Sequence, residues 1–202
     1  MGSVSVSLQF SGRPLFMHVR RALALALVVP FLLADAYHAR TDIPAMIEQS
    51  AAAVAQAEVL GEDPALVSML RLRLAEIGVS PDDDGLGVLV VAVGTSSHAA
   101  NARTARVARA LSAGTRWAGA EVAFATGPNR RIADVAAQLS ADGADRLVIA
   151  PWFLAHGLIT DRVATYAMAQ GISMAEPLGS HNLVAATVLD RFDQALASPL
   201  AA

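Results

Sequence analysis

Two side chains four residues apart, His38 and Asp42, form the pair best suited to chemistry in this 202-residue sequence. A neutral imidazole binds a divalent ion through one ring nitrogen, while a carboxylate on the other nitrogen fixes the tautomer and can share the proton. The chain has no cysteine, which removes thiolate zinc sites, iron–sulfur clusters, cysteine nucleophiles and dithiol redox chemistry. Any metal must therefore sit on His, Asp or Glu. Among the five histidines, three others stand at informative places. His98 follows Gly94-Thr-Ser-Ser at the expected start of a helix, where Ser96 and Ser97 either cap the helix or hold an anionic group. His156 follows Pro151-Trp-Phe-Leu and could approach a cleft from the opposite side to His38. His181 reads most simply as an exposed residue in the cap of the last helix. The run Asp82 to Asp84 imitates the opening of a calcium loop but lacks its remaining ligands, so a solvated linker is the simpler reading. No HExxH helix, Walker loop, GxGxxG fingerprint or GxSxG elbow occurs, which leaves proteinase, nucleotide and serine-hydrolase readings without support.

The elements that must position these residues alternate between strand and helix. Gly87 to Val93 is a continuous apolar, β-branched run, as expected of a strand covered on both faces. The Gly94 loop then leads into an Ala/Arg-rich helix with Arg103, Arg106 and Arg109 on a solvated face. A strand over Glu121 to Ala125, a helix over Arg131 to Ala141, a strand over Arg146 to Ala150 and a helix over Asp161 to Gln170 follow. A short strand and a helix over Asn182 to Ala197 complete the chain. Short loops between alternating elements imply an α/β fold with parallel sheets flanked by helices, and ligand sites at the carboxyl ends of the strands. His38 falls at such an end, a short loop after a strand over Leu25 to Phe31.

The chain also repeats itself. The segment from Leu25 to His38 lies over Asp145 to Ile159 when Pro30 is placed on Pro151, and Val59 onward lies over Pro177 onward in the same order. Two blocks in one register make duplication the simplest account. This bears on the stretch from Arg20 to Ala36, which imitates a signal peptide with its paired arginines, apolar run and A-x-A ending. If Leu147 to Leu154 is a strand of a folded lobe, Leu25 to Leu33 is its counterpart. The alternating stretch Ser3 to Phe10 and a helix from Pro14 to about Ala24 precede it. The expected organisation is a first lobe over residues 1–80, a linker over 81–86 and a second lobe over 87–202. At this repeat offset the partner of Gly94 would fall before Met1, so the first lobe is expected to lack its N-terminal strand and helix.

Charge narrows the partners. Formal net charge is -3, and all 15 cations are arginines with no basic block among them. Non-specific affinity for nucleic acid needs clustered cations that release counterions from phosphate, so no nucleic-acid partner is expected. The apolar run is too short, and too interrupted by Pro30 and Asp35, for a membrane span. A cytoplasmic setting is the expectation.

The block PFLLADAYHARTDIP, Pro30 to Pro44, resembles the metal-binding segment of the sirohydrochlorin chelatases, which insert cobalt or iron in cobalamin and siroheme synthesis. VAVGTSSHAANA (Val91 to Ala102), APWFLAHGLITDRV (Ala150 to Val163) and PLGSHNLVAATVLDRFDQAL (Pro177 to Leu196) resemble the corresponding second-lobe blocks, in order. The likeness covers nearly the whole chain, from about Ser3 to Leu196. It implies two similar Rossmann-like chelatase lobes around a tetrapyrrole cleft, with Co²⁺ or Fe²⁺ as substrate and no tightly bound cofactor. It also implies His38 as metal ligand and proton acceptor, with Asp42 beside it. Arg40, Ser96, Ser97 and Asn101 lie on loops suited to the substrate's carboxylates. The resemblance implies a second family histidine on the strand expected to be missing here; its equivalent in the second lobe is Val93, and that of His38 is Leu158 or Ile159. The second lobe is thus expected to act as scaffold. Ala36, where glycine is common, and His98, where a carboxylate is usual, depart from the pattern. The alternative is a non-catalytic tetrapyrrole- or metal-binding module. Homodimerisation is a further expectation, since an exposed sheet edge invites pairing.

Overall fold

The computed structural model describes residues 26–127 and 130–197. The strand expected over Ser3 to Phe10 and the helix from Pro14 lie outside these residues. Two parallel sheets are present. The smaller pairs β1 (Ala26–Val28) with β2 (Val54–Gln56). The larger has the order β4-β3-β5-β6, with β3 spanning Leu86–Ala92, β4 Gly119–Phe124, β5 Arg146–Pro151 and β6 Ser173–Met174. Every pairing is parallel, as the short strand–helix alternation requires.

All seven residues of β3 are buried, which explains its unbroken apolar run. One face of the larger sheet packs on α2 (Pro64–Glu76), α3 (His98–Ser112) and α6 (Asn182–Ala197), the other on α4 (Ile132–Ala141) and α5 (Leu158–Gln170). Gly87 is required by this packing: a Cβ there would meet Leu147 at 2.7 Å and Ala144 at 2.8 Å. Leu60, Leu66, Leu70 and Leu74 from the first lobe share one core with Val88, Val90 and Val148 of the second. The lobes are therefore fused through apolar contact as well as by chain. Among the described residues no helix is long and apolar enough to cross a membrane.

The repeat is visible in individual hydrogen bonds. Ala57 N donates to Val28 O, and Ala175 N to Ile149 O; Leu60 N donates to Leu32 O, and Leu178 N to Phe153 O. Each pair joins equivalent strand ends. Asp63 caps α2 by accepting from Ala65 N, and His181 caps α6 by accepting from Leu183 N through Nδ1. His181 is therefore a half-buried cap rather than the exposed residue expected. The counterpart of α5 is a π-helical turn, His38–Asp42, running directly into α1 (Ile43–Ser50). Both thirteen-residue stretches end in a left-handed residue, Ala51 and Gly171.

Three local expectations needed correction. Among the described residues, the strand expected over Leu25 to Phe31 runs Ala26–Val28, ending before Phe31, and is partly exposed, because it has β2 alone as a described neighbour. The helix expected from Asp161 begins at Leu158, because Thr160 Oγ1 accepts from Gly157 N and secures the extra turn. The acidic stretch after Pro81 is not simply solvated: Asp83 accepts from Ser80 N at 3.0 Å and pairs with Arg146 at 2.9 Å. That turn delivers the chain directly into β3 at Leu86.

Candidate functional site

His38 is held at the mouth of a cavity of about 400 Å³ between the lobes. One wall comes from Phe31 to Leu33, Tyr37 and His38. The other comes from Ala92 to Ser96, Phe124 and Trp152 to Leu154. The two walls lie where β1 and β5, and then β3, release the chain at their carboxyl ends, which is where an open parallel sheet leaves room for a ligand. Gly94 makes the turn after β3 possible with φ of +87°, and a Cβ there would lie 2.9 Å from Thr126 O. Phe31, Tyr37, Phe124, Trp152 and Phe153 contribute aromatic rings to a mainly apolar lining.

The π-helical turn sets the chemistry of the rim. Pro44 has no N–H to donate, and Ile43 N reaches back to His38 O, which widens the turn. His38 and Asp42 project from the same side of it, with Nδ1 2.6 Å from Asp42 Oδ2. The imidazole is 76% exposed and the carboxylate 40%. When Nδ1 carries the proton toward Asp42, Nε2 keeps its lone pair for a metal ion. The Tyr37 ring meets the imidazole edge-on, 6.2 Å between centroids. Among the described residues no group of three His, Cys, Asp or Glu side chains converges. Among the described residues, His38 and Asp42 are the two donors that meet at this rim.

Arg40, expected to face substrate, is turned toward Asp35: Nε donates to Oδ1 at 2.9 Å and Nη2 to Oδ2 at 2.5 Å. Arg103 of α3 reaches the same segment, donating to Asp35 O at 3.0 Å and lying 3.5 Å from Oδ2. The hydrogen bond from Arg40 holds the Asp35 carboxyl below its ordinary range, against the opposing effect of partial burial. The same bond raises the Arg40 guanidinium. Sequence placed Arg103 on a solvated face with Arg106 and Arg109; the structure puts it across the lobes instead.

Ser96 stands exposed on the cavity wall. Ser97 caps α3, its Oγ accepting from Ala100 N at 3.2 Å. Asn101 braces the loop through both amide atoms, accepting from Thr95 N and donating to Thr95 O. His98 opens α3. His156 is outside the cavity lining and pairs with Glu176 at 2.7 Å, so it does not approach the cleft from the second lobe. Val93 does line the cavity. Sequence reasoning also missed Trp152, which is 2% exposed and whose buried indole Nε1 has no hydrogen-bond partner among the described residues. Nothing local in Ala150-Pro-Trp-Phe-Leu distinguishes a cavity wall from ordinary core.

Comparison with known proteins agrees with this architecture. Solved structures similar to the chain include SirB from Bacillus subtilis with Fe³⁺ (TM-score 0.72, 22% identity, covering 90% of this chain and 76% of that one). The sirohydrochlorin chelatase SirB from Bacillus subtilis subspecies spizizenii in complex with cobalt is also similar (0.68, 20%, 95% and 80%). DR2241 from Deinococcus radiodurans, a multi-domain protein with structural similarity to chelatases, matches at 0.63 and 21%, covering 86% of this chain and 42% of that one. No curated protein matches the sequence. The CbiX family model matches residues 5–77 and 87–195, running through both lobes and the His38 block. The chain belongs to the CbiX family.

Proposed function

We propose that this protein inserts Co²⁺ or Fe²⁺ into sirohydrochlorin in the cytoplasm, with His38 delivering the metal and accepting a pyrrole proton. The observation that carries the reading is the His38–Asp42 pair at the rim of an aromatic interlobe cavity. Metallation requires a ligand that holds the ion loosely and a base that takes up protons from the macrocycle. A carboxylate-backed imidazole provides both near neutral pH. Imidazole and carboxylate accept either ion, and the neighbours with Fe³⁺ and with cobalt favour those two metals.

The aromatic lining suits the flat faces of a tetrapyrrole, and Ser96 at the wall is placed to receive one of its carboxylates. A larger groove of about 730 Å³ is lined by Asp35, Arg40, Arg103, Arg106 and Arg191 among others. It includes neither His38 nor the aromatic wall, so the smaller cavity is the better match. Ser97 and Asn101 contribute by shaping the loop that forms the far wall, and Arg40 by fixing the segment before His38. Val93, and Leu158 or Ile159, at the duplicated positions, offer no ligand, which supports reading the second lobe as scaffold.

The direct test incubates the purified protein anaerobically with sirohydrochlorin and Co²⁺ or Fe²⁺ and follows the absorbance of the metallated product. Acceleration over the spontaneous rate, lost in His38→Ala, is the expected result. Acceleration that survives His38→Ala overturns the mechanism. Tetrapyrrole binding without acceleration identifies a non-catalytic binding module instead.

A further inference from the structure

We propose that Arg103 is a positioning residue: from the second lobe it ties down the Asp35 segment and so sets where His38 stands relative to the opposite cavity wall. The inference rests on the reading of His38 as the residue that delivers the metal, and concerns what holds that residue in place.

Asp35 lies three residues before His38 and Arg40 two residues after it. The Asp35 carboxylate is gripped by Arg40 on one side and approached by Arg103 on the other, while Arg103 also bonds the Asp35 carbonyl. The two arginines thus bracket the imidazole-bearing turn. Arg103 belongs to α3, whose capping residue Ser97 ends the Gly94–Ser97 loop on the far side of the cavity. A continuous helix between Ser97 and Arg103 makes the far wall and the His38 turn move together.

The duplication supplies an independent argument. At the position equivalent to Asp35 the second lobe has His156, which pairs with Glu176 of its own lobe. Among the described residues, the tie from Arg103 to Asp35 is made at the repeat that carries the candidate metal ligand. Energetics point the same way. Side chains of Arg103 and Asp35 are 31% and 35% exposed, and an ion pair that open to water adds little to folding stability. Its more evident contribution is geometric, since small displacements of a reacting group cost rate steeply. Arg103 does not line the aromatic cavity, so its removal should spare substrate binding.

The test compares wild type with Arg103→Met, Arg103→Lys and Asp35→Asn, using metallation kinetics with sirohydrochlorin and Co²⁺ together with amide hydrogen exchange over residues 33–42. Arg103→Met should speed exchange in that segment and lower kcat about tenfold, with KM for sirohydrochlorin changed by less than about twofold. Arg103→Lys, which can still reach the Asp35 carbonyl, should recover part of both. Unchanged exchange in Arg103→Met overturns the tie, as does a raised KM at constant kcat, which would make Arg103 a substrate contact. Equal loss in the Lys and Met variants also overturns it. If Arg103→Met does not fold, the Lys and Asp35→Asn variants decide by the same readouts. If the wild-type protein accelerates no metallation, the proposed activity falls alone, and the exchange measurement still decides whether Arg103 holds the segment.

Discussion

Arg73 and Arg191 hold the two lobes together by the same bonds made in opposite directions. Arg73 Nε donates to Pro177 O at 2.9 Å and Nη2 to Leu178 O at 3.0 Å. Arg191 Nε donates to Val59 O at 2.9 Å and Nη2 to Leu60 O at 2.8 Å. The two arginines occupy the same place in the duplicated helices α2 and α6, and each grips the loop before the other's helix. Such reciprocity is the signature of an isologous interface captured within one chain.

The exchange predicts an asymmetric loss of stability. Each guanidinium satisfies two carbonyls at the lobe junction, and charge-assisted bonds of this kind contribute about 1.5–3 kcal/mol. Each arginine also has a carboxylate partner, but Arg191 pairs with Asp63 at 2.9 Å where the side chains are 13% and 18% exposed, whereas Arg73 pairs with Glu76, which is 51% exposed and adds little. Denaturant titration should therefore show Arg191→Met less stable than wild type by about 2–3 kcal/mol, and Arg73→Met affected less. Equal midpoints in both variants and wild type would contradict the interface role.

The His38–Asp42 pair predicts graded effects on metal handling. Removing the imidazole in His38→Ala should leave no Co²⁺ binding at this site. Asp42→Asn keeps the ligand but exchanges the carboxylate for a neutral amide, which orients the ring less firmly and supplies no anion. Loss of a carboxylate behind a ligating histidine weakens metal affinity about 10–100-fold. Calorimetry with Co²⁺ on the three proteins measures the order directly. An Asp42→Asn protein that binds as tightly as wild type would show that the 2.6 Å contact has no part in ligation.

Much of this was legible in sequence because it is local. The unbroken apolar run of β3, the Gly94 turn and the helix over Asn182–Ala197 follow from period, turn chemistry and length, and the repeat placed both lobes in register. The His38–Asp42 contact was legible because the two residues lie four apart, just after a strand. Arg103 and Trp152 were not, because their roles depend on partners far away in the chain: Asp35 for the first, the opposite cavity wall for the second. An arginine at three-residue spacing with two others reads as a solvated face until the other lobe is in place. Arg40 was assigned to substrate for the complementary reason, since its loop position is visible in sequence and its bond to Asp35 is not.

Asp35 also predicts a pH dependence with a definite sign. Its carboxyl lies below the ordinary value of 3.8 in the folded protein, chiefly through the bond from Arg40. A depressed carboxyl stabilises the fold above its unfolded value and loses that contribution as pH falls through the folded value. The stability gap between wild type and Asp35→Asn should therefore be constant from about pH 5 to 8 and close below about pH 4. Partial exposure keeps the gap within about 1 kcal/mol. Denaturant midpoints of both proteins across pH 3–7 test this, and a gap that widens on acidification would reverse the assignment.

Trp152 places an indole against the cavity with a buried N–H that has no partner among the described residues. An unmet buried donor costs about 1–3 kcal/mol, and Trp152→Phe removes it while keeping an aromatic ring. The smaller ring gives up packing against a well-filled core, so the two effects oppose each other. Stability should stay within about 1 kcal/mol of wild type, whereas a tryptophan serving only as core would lose more. The same residue offers an optical reading of the site. The chain has two tryptophans, and Trp117 lies away from the cavity with its Nε1 bonded to Ser80 O at 2.8 Å. In a Trp117→Phe background the remaining emission comes from the cavity wall, and a tetrapyrrole seated against it should quench that emission nearly completely at saturation. Emission that persists when sirohydrochlorin is bound would place the macrocycle elsewhere on the protein.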